Sequence, residues 1–278
     1  MKTYQQFIQT QIAQKKSLLC VGLDPLVERM PASMREEQEP LLAFNRRIVE
    51  ATQAYACCYK LNLAFYTAWG ASGYGALAET VKQVKAAGVP VILDAKWGDI
   101  GHTAEQYAIS AFERLEVDAV TVNPYMGEDS IAPFRQYADK GVYILCFTSN
   151  ASRQDFQTLS LHQGNGPEPL FLRVAEQIAA WNQHGNLGAV VGATAPDEMK
   201  AIRARLGEET SILCPGVGAQ GGSLESVIAA SGADRTPNLV VNVSRGIIHA
   251  SQGEDFAEAA REAGQKFAAD CARLIDWA

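Results

Sequence analysis

Leu18-Leu19-Cys20-Val21-Gly22-Leu23-Asp24-Pro25 is the stretch on which the fold turns. Residues 18–23 form a short apolar run of the kind needed by a strand buried on both faces, as in a parallel sheet. The residues just after the run separate the two architectures that bury such strands. An open doubly wound sheet needs a glycine-rich phosphate fingerprint after its first strand, and Gly22-Leu23-Asp24-Pro25 is not that fingerprint. The closed barrel is therefore favoured.

Further runs of the same character occupy 59–63, 89–94, 117–122, 142–148, 187–192, 211–214 and 239–243. Between them lie helical spacings, with Leu77, Val81 and Val84 on one face, then Ala104, Ala108, Ala111 and Leu115, then Leu170, Val174, Ile178 and Trp181. Gly88, Gly141 and Gly185 stand where these helices should stop and are expected to be C-terminal caps. Eight strand–helix units in about 250 residues is the count and length of an α/β (β/α)8 barrel. A single barrel domain is expected over residues 1–278, with 1–16 a helical extension packed on the barrel, across its bottom.

Composition sets the outer limits. With 278 residues, 47% hydrophobic and 20% charged, the chain can bury a large core, which excludes disorder and collagen-like structure. The net charge of −7, from 24 Lys and Arg against 31 Asp and Glu, disfavours a nucleic-acid partner but leaves open a small anionic ligand held in one cleft. No apolar run approaches the length of a membrane span, and the polar start MKTYQQFIQTQIAQK does not read as a signal peptide, so the expected location is cytoplasmic. Cys20, Cys57, Cys58, Cys146, Cys214 and Cys271 lie in apolar runs or near helix ends without C-x-x-C spacing and are expected to be reduced, buried thiols.

The charged residues gather at strand ends. Asp94 and Lys96 are two apart at the end of the third run, so strand alternation points both into the barrel mouth. Two such ions are costly to desolvate unless paired, and a structural ion pair would account for them alone. Asp24, Lys60 and Asp99 at adjacent strand ends bring the cluster to three carboxylates and two lysines, which is the signature of a functional site. A second constellation, Pro215-Gly216-Val217-Gly218-Ala219-Gln220-Gly221-Gly222 with Ser244-Arg245-Gly246, comes after the last two strands, where barrels commonly bind phosphate. Glycines let backbone N–H groups approach an anion, and the Arg245 guanidinium offers a bidentate partner. The long connection 149–167 rises from the fifth strand with little periodicity and reads as a mobile lid. His102, His162, His184 and His249 lack the spacing of a metal or nucleophilic site, and Trp97 reads as packing.

Taken together, Gly22-Leu23-Asp24-Pro25, Lys60, Asp94-Ala95-Lys96-x-x-Asp99-Ile100, Pro215-Gly216-Val217-Gly218 with Gln220, and Ser244-Arg245-Gly246 resemble the orotidine 5'-phosphate decarboxylases, in their longer bacterial subfamily. The resemblance spans nearly the whole chain. It implies conversion of orotidine 5'-phosphate to uridine 5'-phosphate and carbon dioxide, with no cofactor or metal, by a homodimer with sites at the subunit interface. By the same resemblance, Lys96 is the proton donor to C6 and Lys60, Asp94 and Asp99 are its charged neighbours, with Asp99 supplied by the partner subunit. Asp24 and Lys60 contact the ribose, while Ile100 and Thr103 from the partner line the site. Ser149 hydrogen-bonds the pyrimidine, though Phe147 and Thr148 compete for that assignment. Pro215 and Ser244 belong to the substrate lining, and Gln220 and Arg245 hold the phosphate.

Two other readings use the same residues. A metal-dependent sugar-phosphate lyase shares the D-x-K-x-x-D element, but such barrels place an acidic metal ligand where this chain has Lys60, whose charge repels a divalent cation. A non-catalytic phosphometabolite-binding barrel needs the phosphate loops but not the ionic cluster.

Overall fold

The computed structural model describes residues 2–163, 166–218, 221–234 and 237–277. Eight strands close into an all-parallel barrel: β1 (Leu19–Gly22), β2 (Cys58–Asn62), β3 (Val91–Trp97), β4 (Ala119–Val122), β5 (Gly141–Phe147), β8 (Leu187–Val191), β9 (Ile212–Pro215) and β10 (Leu239–Val243). Each strand pairs with its chain neighbour around the barrel, and β1 closes it against β10, with Leu19 opposite Val241. The remaining two, β6 (Ser160–Gln163) and β7 (Gly166–Pro169), form a separate antiparallel hairpin.

The barrel strands are mostly apolar because one face fills the interior and the other carries the helices, and their charged residues, Lys60, Asp94 and Lys96, lie on β2 and β3. β4 and β8 are buried at every position. Helices such as Gly70–Ala86 and Leu170–Trp181 lay Leu77, Val81 and Val84, or Phe171, Ala175 and Ile178, against the strands. All six cysteines are buried and unbridged. Among the described residues no helix is long and apolar enough to cross a membrane.

The N-terminal end of the barrel is plugged by its first helix, Tyr4–Lys15. Thr3 and Gln6 close a reciprocal capping box at its start, and Tyr4, Ile8 and Ile12 face the core at four-residue steps. The Tyr4 hydroxyl lies 3.0 Å from that of Tyr143, which lies 2.9 Å from Ser211 Oγ, so the buried hydroxyls satisfy one another. This contact corrects the reading of Gly141 as a helix cap. The preceding helix, Ala132–Arg135, ends well before it, and a Cβ on Gly141 would stand 2.3 Å from the Tyr4 ring. Gly88, by contrast, comes directly after its helix at φ +70° as a cap should.

The 149–167 connection is more ordered than its pattern suggests. A 3-10 turn at Ala151–Asp155 leads into the β6–β7 hairpin, where Ser160 pairs with Pro169. Strands this short carry too few residues to show a period, and Gly164 and Asn165 lie outside the described residues.

Candidate active site at the barrel mouth

The C-terminal strand ends surround a cavity of about 620 Å³, within the range of small-ligand sites. Its floor on one side is ionic, built from Asp24, Lys60, Asp94 and Lys96, and the opposite wall is apolar, with Leu145, Val190 and Leu213 from β5, β8 and β9. An apolar wall lowers the local dielectric and strengthens every charge interaction beside it.

Asp94 is the centre of the ionic side. Its Oδ2 accepts from the Lys60 ammonium at 2.9 Å and its Oδ1 from Lys96 at 2.5 Å and from the Thr121 hydroxyl at 2.8 Å. Burial by itself favours the neutral acid, yet Lys60 and Lys96 hold the carboxyl well below the usual carboxylate range. The Lys60 side chain is only 5% exposed. Burial disfavours its ammonium, but Asp24, with Oδ1 at 3.8 Å, and Asp94 more than offset this and raise its pKa above the ordinary lysine value.

The route by which Asp94 and Lys96 reach the same cavity differs from simple alternation. β3 and β4 are in register at Leu93 opposite Val120 and again at Trp97 opposite Val122, so Asp94, Ala95 and Lys96 bulge against Thr121 alone. Lys96 takes the left-handed backbone conformation, φ +52°, which is unusual for a residue with a long side chain. The pair is together because the strand is irregular there.

Asp24 is held from both sides. Its Oδ1 accepts from the Asn62 backbone N–H at 3.2 Å and its Oδ2 from the Ser244 hydroxyl at 2.6 Å. Ser244 can approach β1 because position 22 is glycine: a Cβ there would lie 1.9 Å from Ser244 Oγ. Pro215 and Arg245 line the same cavity, Arg245 exposed at its rim. Gly216 and Gly218 lie at φ +102° and +77°, backbone conformations that residues with a Cβ rarely adopt. Gln220, expected beside Arg245, lies outside the described residues.

At the end of β5, Phe147 is buried with its ring against Phe171, while the following Thr148 and Ser149 line the cavity. The Gln157 side chain bonds Thr148 at both its backbone N–H and its hydroxyl, and Arg153 donates to the Thr148 carbonyl, which ties the long connection to the strand end. Asp99, Ile100 and Thr103 do not line the cavity of their own chain; Ile100 and Thr103 are exposed. Trp97 stacks on Tyr107 at 4.6 Å, as packing requires. Sequence reasoning missed Asn62, Phe65 and Thr121 in the lining and reached Asn150 and Gln157 only as members of the 149–167 connection. Of these only Asn62, a polar residue at the end of the second apolar run, carries a visible signal.

The sequence model of the Orotidine 5'-phosphate decarboxylase / HUMPS family matches residues 17–263. An orotidine 5'-phosphate decarboxylase from Herpetosiphon aurantiacus is 48% identical over 253 residues, covering 91% of either chain. One from Thermomicrobium roseum is 45% identical over 265 residues, covering 95% of this chain and 93% of its own. Among solved structures, Leishmania donovani OMP decarboxylase superposes with a TM-score of 0.82 at 36% identity over 98% of both chains. Leishmania donovani UMP synthase superposes with a TM-score of 0.85 at 38% identity, covering 99% of this chain and 57% of the other.

Proposed function

The chain belongs to the orotidine 5'-phosphate decarboxylase / HUMPS family, and from that membership and the ionic cluster at its barrel mouth we propose that it converts orotidine 5'-phosphate to uridine 5'-phosphate and carbon dioxide in the cytoplasm. The observation that carries the reading is the Lys60–Asp94–Lys96 chain of charges facing an apolar wall. Loss of carbon dioxide from C6 leaves an electron pair on a vinyl carbon with no adjacent electron sink. A fixed cation must stabilise that charge where it forms, and preorganised electrostatics of this kind is commonly the largest catalytic contribution.

In the proposed step the bond from C6 to the carboxyl carbon breaks, carbon dioxide leaves, and Lys96 delivers a proton to C6; the neutral amine then regains a proton from water. Asp94 directs the Lys96 ammonium through their ion pair, and Lys60 in turn helps keep Asp94 ionised. Asp24 and Lys60 bind the ribose, Ser149 the pyrimidine, and Arg245 with the glycine loop and Gln220 the phosphate. Binding energy from the phosphate drives closure of the 149–167 connection.

No cofactor or metal enters this scheme. Lys60 already occupies the space between Asp24 and Asp94 that a divalent cation would need. A homodimer completes the site, with Asp99, Ile100 and Thr103 entering the partner's cavity. Support for this comes from large apolar side chains left exposed after three consecutive strands: Trp69 and Tyr74 after β2, Ile100 after β3, Tyr125 and Met126 after β4.

The test is the fall in orotidine 5'-phosphate absorbance on adding purified protein, with and without EDTA, beside Lys96→Ala. The expected result is turnover that EDTA does not alter and that the variant lowers by at least about 10³-fold while remaining folded. A folded wild type without turnover overturns the reading, and EDTA-sensitive turnover replaces it with metal-assisted chemistry.

A further inference from the structure

We propose that Thr121 is a positioning residue for Lys96, holding the lysine's backbone and its ammonium in one arrangement through the Asp94 carboxylate; its use in catalysis rests on the decarboxylation reading above.

Thr121 lies on β4, 1% exposed, between residues that only fill the core. Its hydroxyl accepts from the Lys96 backbone N–H at 3.0 Å and donates to Asp94 Oδ1 at 2.8 Å. The same Oδ1 accepts from the Lys96 ammonium. A hydroxyl has one proton and two lone pairs, so both partners are met at once, and the two ends of Lys96 are tied to a single carboxylate oxygen.

The need for such a tie arises from the bulge. Three residues of β3 stand opposite Thr121, so the Lys96 N–H has lost its ladder partner on β4. A buried N–H without a partner and a left-handed φ at a non-glycine residue are both unfavourable, and each favours relaxation toward the extended strand. Relaxation would turn the side chain away from Asp94. The Lys96 side chain is 45% exposed, and among the described residues its ion pair is with Asp94 alone, so packing does little to keep its ammonium in place. The Thr121 hydroxyl supplies the missing acceptor and aims the carboxylate together.

The experiment compares Thr121→Val, which keeps the shape and removes the hydroxyl, with Thr121→Ser, which keeps the hydroxyl. Thr121→Ala repeats the loss in case the valine variant does not fold. Steady-state kinetics, uridine 5'-phosphate affinity by calorimetry and a crystal structure are measured for each. Valine and alanine are expected to lower kcat by about 10- to 100-fold, the scale of a misplacement near 1 Å, while serine stays near wild type. KM and nucleotide affinity are expected to move less than about threefold, because the hydroxyl acts on Lys96 and not on the nucleotide. In the crystal, Lys96 should leave the left-handed region and its ammonium should part from Asp94. Unchanged kcat in both hydroxyl-free variants, an equal loss in serine, or an unmoved Lys96 overturns the proposal. Should the wild type fail to decarboxylate, the kinetic link falls with that reading, and the crystal structure alone decides whether Thr121 positions Lys96.

Discussion

Lys60→Met tests the electrostatic account most directly, because it keeps the length of the side chain and removes only the charge. The ammonium lies 2.9 Å from Asp94 and 3.8 Å from Asp24. At an effective dielectric near 20 these contacts are worth roughly 6 and 4 kcal/mol before desolvation is charged against them. Removing one member of a buried ion pair typically costs about 3–5 kcal/mol, a large part of a stability of about 5–15 kcal/mol. The loss should depend on pH, with a sign set by the two shifts. Asp94 is held below its ordinary range by Lys60 and Lys96, so its contribution is present at neutral pH and lost only as pH falls through that depressed value. Lys60 is held above its ordinary value, so its contribution is complete at neutral pH and lost only in strong alkali. In the variant, Asp94 keeps its burial and loses one cation, so its pKa rises and protonation relieves part of the penalty as pH falls. Urea unfolding monitored by circular dichroism should therefore show a deficit that is largest at neutral pH and above and narrows as pH falls into the acid range. A deficit below about 1 kcal/mol near pH 8, or one that does not narrow, would refute the reasoning.

Gly22→Ala places a Cβ against Ser244 and should displace its hydroxyl from Asp24. Hydrogen bonds to charged groups contribute about 1.5–3 kcal/mol, so KM should rise by about tenfold or more, and an unchanged KM would rule out a substrate role for this contact. Gly141→Ala meets the Tyr4 ring at the opposite end of the barrel; a stability loss of about 1–3 kcal/mol with wild-type kcat is expected in thermal unfolding and kinetics, and altered kcat would contradict the separation of plug and site. If the proposed homodimer shares Asp99 across its interface, Lys96→Ala and Asp99→Asn chains, each expected to be inactive alone, should regain about a quarter of wild-type activity when mixed and allowed to exchange subunits, because each mixed dimer would then contain one intact site. No recovery, with exchange verified by mass spectrometry, would exclude Asp99 acting across the interface.

Much of the architecture was legible because a strand buried on both faces must be a continuous apolar run, whatever its neighbours. β10 spans Leu239–Val243, the same residues as its run, and the others shift by one to three residues at their ends. Asp94, Lys96, Lys60 and Asp24 were legible for the complementary reason, that a charge at the end of such a run is out of place unless it has partners. Thr121 was not, since a β-branched residue inside the apolar run Ala119–Val122 looks like any other strand residue until Asp94 and Lys96 are seen beside it. Gly141 misled because its neighbour, Tyr4, is distant along the chain.

The eight strand–helix units, the closed barrel over the open sheet, and the charged strand ends that mark the mouth are all written in local hydrophobic pattern and in the types of residue that interrupt it. The placement of Lys60 between Asp24 and Asp94, the bulge and left-handed lysine that bring Lys96 to the same carboxylate, and the reach of Ser244 to Asp24 across Gly22 appear only in the folded chain. These depend on register between strands and on distances between side chains far apart in the chain, which barrel closure sets and no local pattern encodes.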